Sequence, residues 1–235
     1  MAKISAGSYD LNKWLFGGYE DDIVTVVYGS PGTGKTNFCL LAAVSQAKKG
    51  NKVIYIDTEG GFSVERTRQI AGEEEYKKAL ENIFLLKPTS FDEQKEAFKK
   101  LEKNLGKEIS LIIVDGMTIL YRLDFAIARE KDEKEGNGRA GMQKINSELA
   151  ENMKILVEIA RKKGIPVIVT NQVYTWENEK KMVGGDILHY WGKCLIELVN
   201  ERGKRTAFLR KHRSLPEKSM DFQIIDLGIK RKGWI

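Results

Sequence analysis

Eight consecutive residues, Gly29-Ser30-Pro31-Gly32-Thr33-Gly34-Lys35-Thr36, place three glycines, a lysine and a hydroxyl between an apolar run (23–28) and a helix-like stretch (37–49). The glycines let the backbone wrap so that successive N–H groups converge on one anion. The helix that follows adds its partial positive charge at the same point. In a strand–loop–helix setting the pattern G-x-x-x-x-G-K-[ST] is a phosphate-binding loop, and the ligand it implies is a nucleoside triphosphate. Lys35 would reach the β- and γ-phosphates and the Thr36 hydroxyl would help to hold Mg²⁺, with Asn37 beginning the helix beside them.

Three more polar residues stand at the ends of other apolar runs. Asp115 closes Leu111-Ile112-Ile113-Val114 and has the form of a carboxylate that holds Mg²⁺ through its water shell. Glu59 follows Val53-Ile54-Tyr55-Ile56-Asp57, a suitable place for a carboxylate that polarises an attacking water. Gln172 follows Val167-Ile168-Val169-Thr170-Asn171 and could sense the γ-phosphate or simply satisfy the strand end.

Positioning these groups requires strands alternating with helices. Nearly continuous apolar runs at 23–28, 53–57, 83–86, 111–115 and 167–171 suit a parallel sheet covered on both faces. Helical patterns lie between them at 64–71, 73–81, 90–104 and about 143–163, and an opening helix falls within 7–18 with Leu11, Trp14 and Leu15 on one face. Strands near 194–199, 206–210 and 221–226 have hairpin-like connections, which predicts antiparallel additions near the C-terminus. The expected fold is α/β: one domain, residues 1–235, with a mostly parallel twisted sheet flanked by helices and ligands at the carboxyl ends of its strands. The charged stretch 122–141 and the polar stretch 174–185 read as long loops.

The formal net charge is +6, and all of it resides in residues 193–235, which hold 11 basic and 5 acidic side chains. Such a patch can attract a polyanion. Two cysteines, Cys39 and Cys194, are too few for a disulfide framework. No run approaches the length of a membrane span, and residues 1–10 lack a signal-peptide pattern, so the expected location is cytoplasmic and nucleoid-associated. His189 and His212 have no partner at ligand spacing, so no transition-metal site is expected.

Several stretches carry a specific resemblance. Asp57-Thr58-Glu59-Gly60-Gly61-Phe62 with Glu65-Arg66 is similar to the surroundings of the catalytic glutamate in the RecA-family recombinases of archaea and eukaryotes. Leu111 to Asp115 followed by Leu120-Tyr121-Arg122 resembles their Walker B strand and the start of their first DNA-binding loop. Thr170-Asn171-Gln172-Val173 and Gly184-Gly185-Asp186-Ile187 resemble the two ends of their second loop, and Leu215-Pro216-Glu217 a nucleotide-capping turn that reaches a neighbouring subunit. The resemblance implies a RecA-type P-loop NTPase core that binds ATP and Mg²⁺. Glu59 would activate water, Arg66 would pack near the adenine and Gln172 would sense the γ-phosphate.

It also implies sequence-independent DNA binding, to single-stranded or branched DNA. Candidate contacts are Arg122 and Arg139 at the first loop and Trp176, Lys180 and Lys181 in the second, with Lys211 and Arg213 in the basic C-terminal patch. Two departures stand out. Only 28 residues precede the phosphate loop, with no Phe-x-x-Ala polymerisation motif among them, and the capping turn Lys211-His212-Arg213-Ser214-Leu215-Pro216 lacks an acidic residue before its proline. The chain therefore looks like a core-only paralogue: an accessory factor of recombination and repair with weak ATP hydrolysis and no strand exchange by itself. Partners would be DNA, a full-length recombinase or structure-specific nuclease, and other copies of the chain. A nucleotide-switched scaffold, a KaiC-like signalling ATPase and, more remotely, a P-loop kinase remain open alternatives.

Overall fold

A computed structural model describes residues 2–136, 138–176 and 179–233, leaving out the side chains of 175, 176, 179 and 180. The chain begins with β1 (Lys3–Ile4), α1 (Tyr9–Trp14), β2 (Tyr19–Glu20), β3 (Val24–Gly29), α2 (Lys35–Ala47) and β4 (Lys52–Asp57). It continues through α3 (Val64–Ala71), α4 (Tyr76–Glu81), β5 (Ile83–Leu86), α5 (Phe91–Asn104), β6 (Ile109–Asp115), α6 (Ile119–Glu135) and α7 (Ala140–Lys163). It ends with β7 (Val167–Trp176), β8 (Glu179–Met182), α8 (Gly185–Trp191), β9 (Cys194–Glu201), β10 (Lys204–His212), β11 (Lys218–Ile225) and β12 (Gly228–Arg231).

Ten strands form one sheet in the order β12-β11-β10-β9-β3-β7-β6-β4-β5, with β8 paired to β7 beside this path, and β1 and β2 pair antiparallel in a small sheet of their own. From β9 to β5 every neighbour is parallel, and β10, β11 and β12 are added antiparallel. This is the expected α/β architecture. Alternation along β6 shows why its sequence is continuously apolar. Leu111 and Ile113 enter the core with Phe38 and Leu41 of α2, whereas Ile112 and Val114 enter the opposite core with Phe98 of α5 and Leu156 of α7. In β10 Ala207 and Leu209 are buried while Thr206 and Arg210 are not, so only one face of that strand is covered.

The stretch 122–141, expected to be a loop, is mostly helix: α6 runs to Glu135 and α7 begins at Ala140. Much of α6 lacks an apolar stripe because it is held by ion pairs at i,i+4, Arg129–Glu133 and Lys131–Glu135. The turn between the helices is fixed by Asp132, 5% exposed, whose carboxylate accepts from Gly141 N and Met142 N at 3.0 Å. These are orphan donors in the first turn of α7, so Asp132 caps that helix from outside its own segment. Asp132→Ala is expected to lower the unfolding free energy by about 1–2 kcal/mol, read from denaturant midpoints.

The stretch 174–185 is also ordered differently from the expected loop. β7 extends to Trp176 and pairs antiparallel with β8, Val173 opposite Met182 and Tyr174 opposite Lys181. Among the described residues no helix is long and apolar enough to cross a membrane.

Candidate active site

The sheet register gathers the chemistry. Gly29 at the end of β3 is opposite Gln172 of β7, and Asp57 at the end of β4 is opposite Asp115 of β6. All four lie at the carboxyl edge of the parallel strands, where the phosphate loop turns into α2.

Gly29 and Gly34 are both needed for the loop's path. A Cβ on Gly29 would lie 2.2 Å from the Leu198 carbonyl oxygen of β9. Gly34 takes φ +108 at the N-cap of α2, a conformation that L side chains rarely adopt. Thr33, 1% exposed, closes the loop by donating its hydroxyl to Ser30 O at 2.8 Å. Lys35 is 7% exposed, and its ammonium donates to Gly29 O at 3.1 Å and Ser30 O at 3.2 Å. Burial lowers its pKa, opposed by the nearby carboxylates of Glu59 and Asp115. The ammonium is therefore held against the first two residues of the loop, Gly29 and Ser30.

Asp115, 1% exposed, accepts from Tyr55 Oη at 2.8 Å and from Thr170 Oγ1 at 2.7 Å. Thr170 in turn accepts from Gly116 N at 2.7 Å. The carboxylate is thus oriented through both oxygens, each of which retains a further lone pair. A Cβ placed on Gly61 would lie 3.3 Å from Thr36 Oγ1 and 3.7 Å from Asp115 Oδ2. Glycine at 61 leaves open the space that the hydroxyl and the carboxylate share. An oxygen-lined gap of this kind fits Mg²⁺ held by one hydroxyl, one carboxylate, waters and phosphate oxygens.

Glu59 stands in the loop after β4, which Asp57 shapes by accepting from Gly61 N and Phe62 N, both at 3.0 Å. Gln172 Nε2 donates to Glu59 Oε1 at 3.2 Å. Burial is the main cause of a raised Glu59 pKa; Lys35 and the Gln172 hydrogen bond pull the other way, and Asp115 and Asp57 add to the rise. A carboxylate in such surroundings can take a proton from a bound water once it is ionised.

Arg66, expected to pack near a base, reaches the start of α2. Its Nε donates to Asn37 Oδ1 at 2.8 Å, and its terminal nitrogens donate to Ile225 O at 2.7 Å, Asp226 O at 3.0 Å and Gly228 O at 3.3 Å. It ties α3 and the start of α2 to the β11–β12 turn. The segment read as a capping turn for a neighbouring subunit is remote from this chain's own phosphate loop. His212 pairs with Cys194, and Cys194 with Thr25 near the start of β3, so residues 213–217 are at the opposite end of the sheet from the phosphate loop. A turn at Leu215-Pro216-Glu217 that caps nucleotide would therefore do so on a neighbouring subunit.

The DNA candidates divide in two. Arg122 is exposed on α6 and lines a small cleft with Glu59, Thr118 and Gln172. Arg139 is exposed at the N-cap of α7, and Lys181 is exposed on β8. The side chains of Trp176 and Lys180 lie outside the described residues. Lys211 is not with this group: it donates to His189 O at 2.8 Å near the other end of the sheet. Arg213 is committed to acidic partners, Glu20 Oε2 at 2.5 Å and Asp22 Oδ1 at 2.7 Å. Burial works against the charge of Glu20, yet the Arg213 hydrogen bond, aided by His212 and Lys3, brings its pKa below the ordinary value.

Sequence reasoning missed Tyr55, Thr170, Asp57 and Asn171, which orient the candidate groups without being among them. Tyr55 and Asp57 carried a signal, because alternate residues of β4 share one face. Thr170 and Asn171 carried one only as members of the motif Thr170-Asn171-Gln172-Val173 at a strand end.

The Rad51 family model matches residues 1–232. The chain is 40% identical over 230 residues to the DNA repair and recombination protein RadB of Methanobrevibacter smithii, covering 93% of this chain and 92% of that protein. It is 39% identical over 220 residues to the protein of the same description from Methanocaldococcus jannaschii, covering 94% and 98%. Among solved structures, that described as the crystal structure of the RadB recombinase matches with a TM-score of 0.77 at 33% identity, covering 96% of this chain and 98% of that one. With the phosphate loop, the ordered strand ends and these matches running through nearly the whole chain, it belongs to the Rad51 family, in the group of the RadB proteins.

Proposed function

We propose that this chain is an ATP- and DNA-binding accessory protein of homologous recombination and DNA repair, with slow ATP hydrolysis and no strand exchange on its own. The observation that carries this reading is the convergence of Lys35, Thr36, Asp115 and Glu59 at one edge of the sheet, with Gln172 bridging Glu59 to the β7–β8 hairpin. The phosphate loop and the β7–β8 hairpin both spring from the ten-stranded sheet, which would give nucleotide and DNA elements a common frame.

Lys35 and the loop amides would hold the phosphates, with Lys35 exchanging the Gly29 and Ser30 carbonyls for β- and γ-oxygens. Thr36 and Asp115 would hold Mg²⁺, Asp115 through water. When bound, the ion supplies charge neutralisation on the phosphate oxygens. Glu59 would orient the attacking water and take its proton, and Lys35 would offset the charge developing on the transferred group. Gln172 would hold one oxygen of the Glu59 carboxylate and leave the other for the attacking water. Asn37 and Arg66 would support the site by holding α2 against the β11–β12 turn.

DNA would lie along α6 and the β7–β8 hairpin, meeting Arg122, Arg139, Trp176, Lys180 and Lys181. Backbone phosphate contacts of this kind carry no base readout. A salt titration of single-stranded oligonucleotide binding tests the assignment. Arg122→Ala should reduce the slope of log K against log salt by about 0.7. An unchanged slope would remove Arg122 from the contact surface.

A further inference from the structure

Three elements meet at one buried carboxamide. Asn171 is 1% exposed at the end of the parallel part of β7. Its Oδ1 accepts from the Thr118 hydroxyl and from Gln172 N at 3.0 Å, and its Nδ2 donates to Val183 O at 2.8 Å. Val183 N closes the ring by donating to Gln172 O at 3.2 Å. Thr118 occupies the N-cap position of α6, yet its side chain caps no helix N–H and turns to β7 instead. The start of α6, the end of β7 and the return from β8 are therefore pinned to a single side chain. The neighbouring residue, Gln172, holds Glu59.

A carboxamide is suited to this junction because its oxygen can accept from two donors while its nitrogen donates to a carbonyl. We propose that Asn171 is a positioning residue that couples α6 and the β7–β8 hairpin to the Gln172–Glu59 contact, so that displacement of either element moves Glu59. The inference rests on the reading above, in which those elements face DNA and Glu59 faces the nucleotide.

The two arms can be cut separately. Asn171→Asp preserves shape and acceptor but loses the donor to Val183, and Thr118→Val preserves shape but loses the arm to α6. The readout is the affinity for a fluorescent ATP analogue with Mg²⁺, measured with and without a single-stranded oligonucleotide, beside thermal midpoints. In the unaltered protein the oligonucleotide should change that affinity by about fivefold or more, the low end of ordinary coupling between sites. Each variant should bring the ratio below about twofold while leaving affinity without DNA within about threefold. Variants that fold and keep the full ratio would overturn the inference and leave the functional reading standing. No oligonucleotide effect in the unaltered protein would overturn the inference, whereas the functional reading falls only if the oligonucleotide does not bind.

Hydrogen exchange of the unaltered protein supplies a test that needs neither variants nor DNA. Adding the analogue and Mg²⁺ should change protection at residues 119–123 and 182–187 together. A change confined to one segment would overturn the coupling even if both variants failed to fold.

Discussion

Lys35→Ala is expected to abolish measurable ATP turnover, with a loss of at least about 10²-fold, comparable to removing a preorganised donor from a transition state. Lys35 is buried at the centre of the loop, with its ammonium on the carbonyls of Gly29 and Ser30. These carbonyls are its anchorage without phosphate, and alanine leaves them to solvent at the loop mouth, so the fold should survive. The change also removes a positive charge that pulls the Glu59 pKa down. The Glu59 titration in the variant should accordingly move further upward, visible by NMR of its carboxyl carbon. Retained turnover in Lys35→Ala would place hydrolysis elsewhere.

Glu59→Gln is expected to leave nucleotide binding nearly intact and to lower turnover by about 10²–10⁴-fold, the usual contribution of a general base. The pH dependence follows from the raised pKa, of which burial is the largest cause. The base must be ionised, so turnover should rise with pH through a value above the 4.5 of an ordinary glutamate, and Glu59→Gln should lack this acid limb. For stability the sign reverses. A carboxyl with a folded-state pKa above its unfolded one favours folding at low pH and loses that contribution as pH rises through the folded value. At neutral pH Glu59→Gln should therefore be at least as stable as the unaltered protein, checked by thermal midpoints at pH 5 and pH 7.5. Loss of nucleotide binding in Glu59→Gln would show that the residue acts on the ground state.

The parallel core was legible because strands buried on both faces must be apolar at every position, as in Leu111-Ile112-Ile113-Val114. The phosphate loop was legible because its glycines meet backbone constraints that few residues satisfy. The α6–α7 turn was not, because its stability comes from charge: Arg129 to Glu133 across one turn, and Asp132 reaching Gly141 and Met142. Opposite charges at i,i+4 were the available signal, outweighed by the missing apolar period. The β7–β8 hairpin was obscured because most of β8, Glu179-Lys180-Lys181, is charged and fits a loop equally well. Arg213 shows a further limit. Its charge in a basic segment suggested a polyanion, yet Glu20 and Asp22, nearly 200 residues earlier, already neutralise it. The buried hub at Asn171 depends on Thr118 and Val183, contacts that only the folded chain brings together.

The most direct measurement of the central claim is ATP hydrolysis with Mg²⁺, with and without single-stranded DNA, at low and high salt. The predicted result is slow turnover that DNA alters at low salt and not at high salt, and that Lys35→Ala removes under every condition. Turnover insensitive to DNA at both salt concentrations, or undiminished in Lys35→Ala, would contradict it.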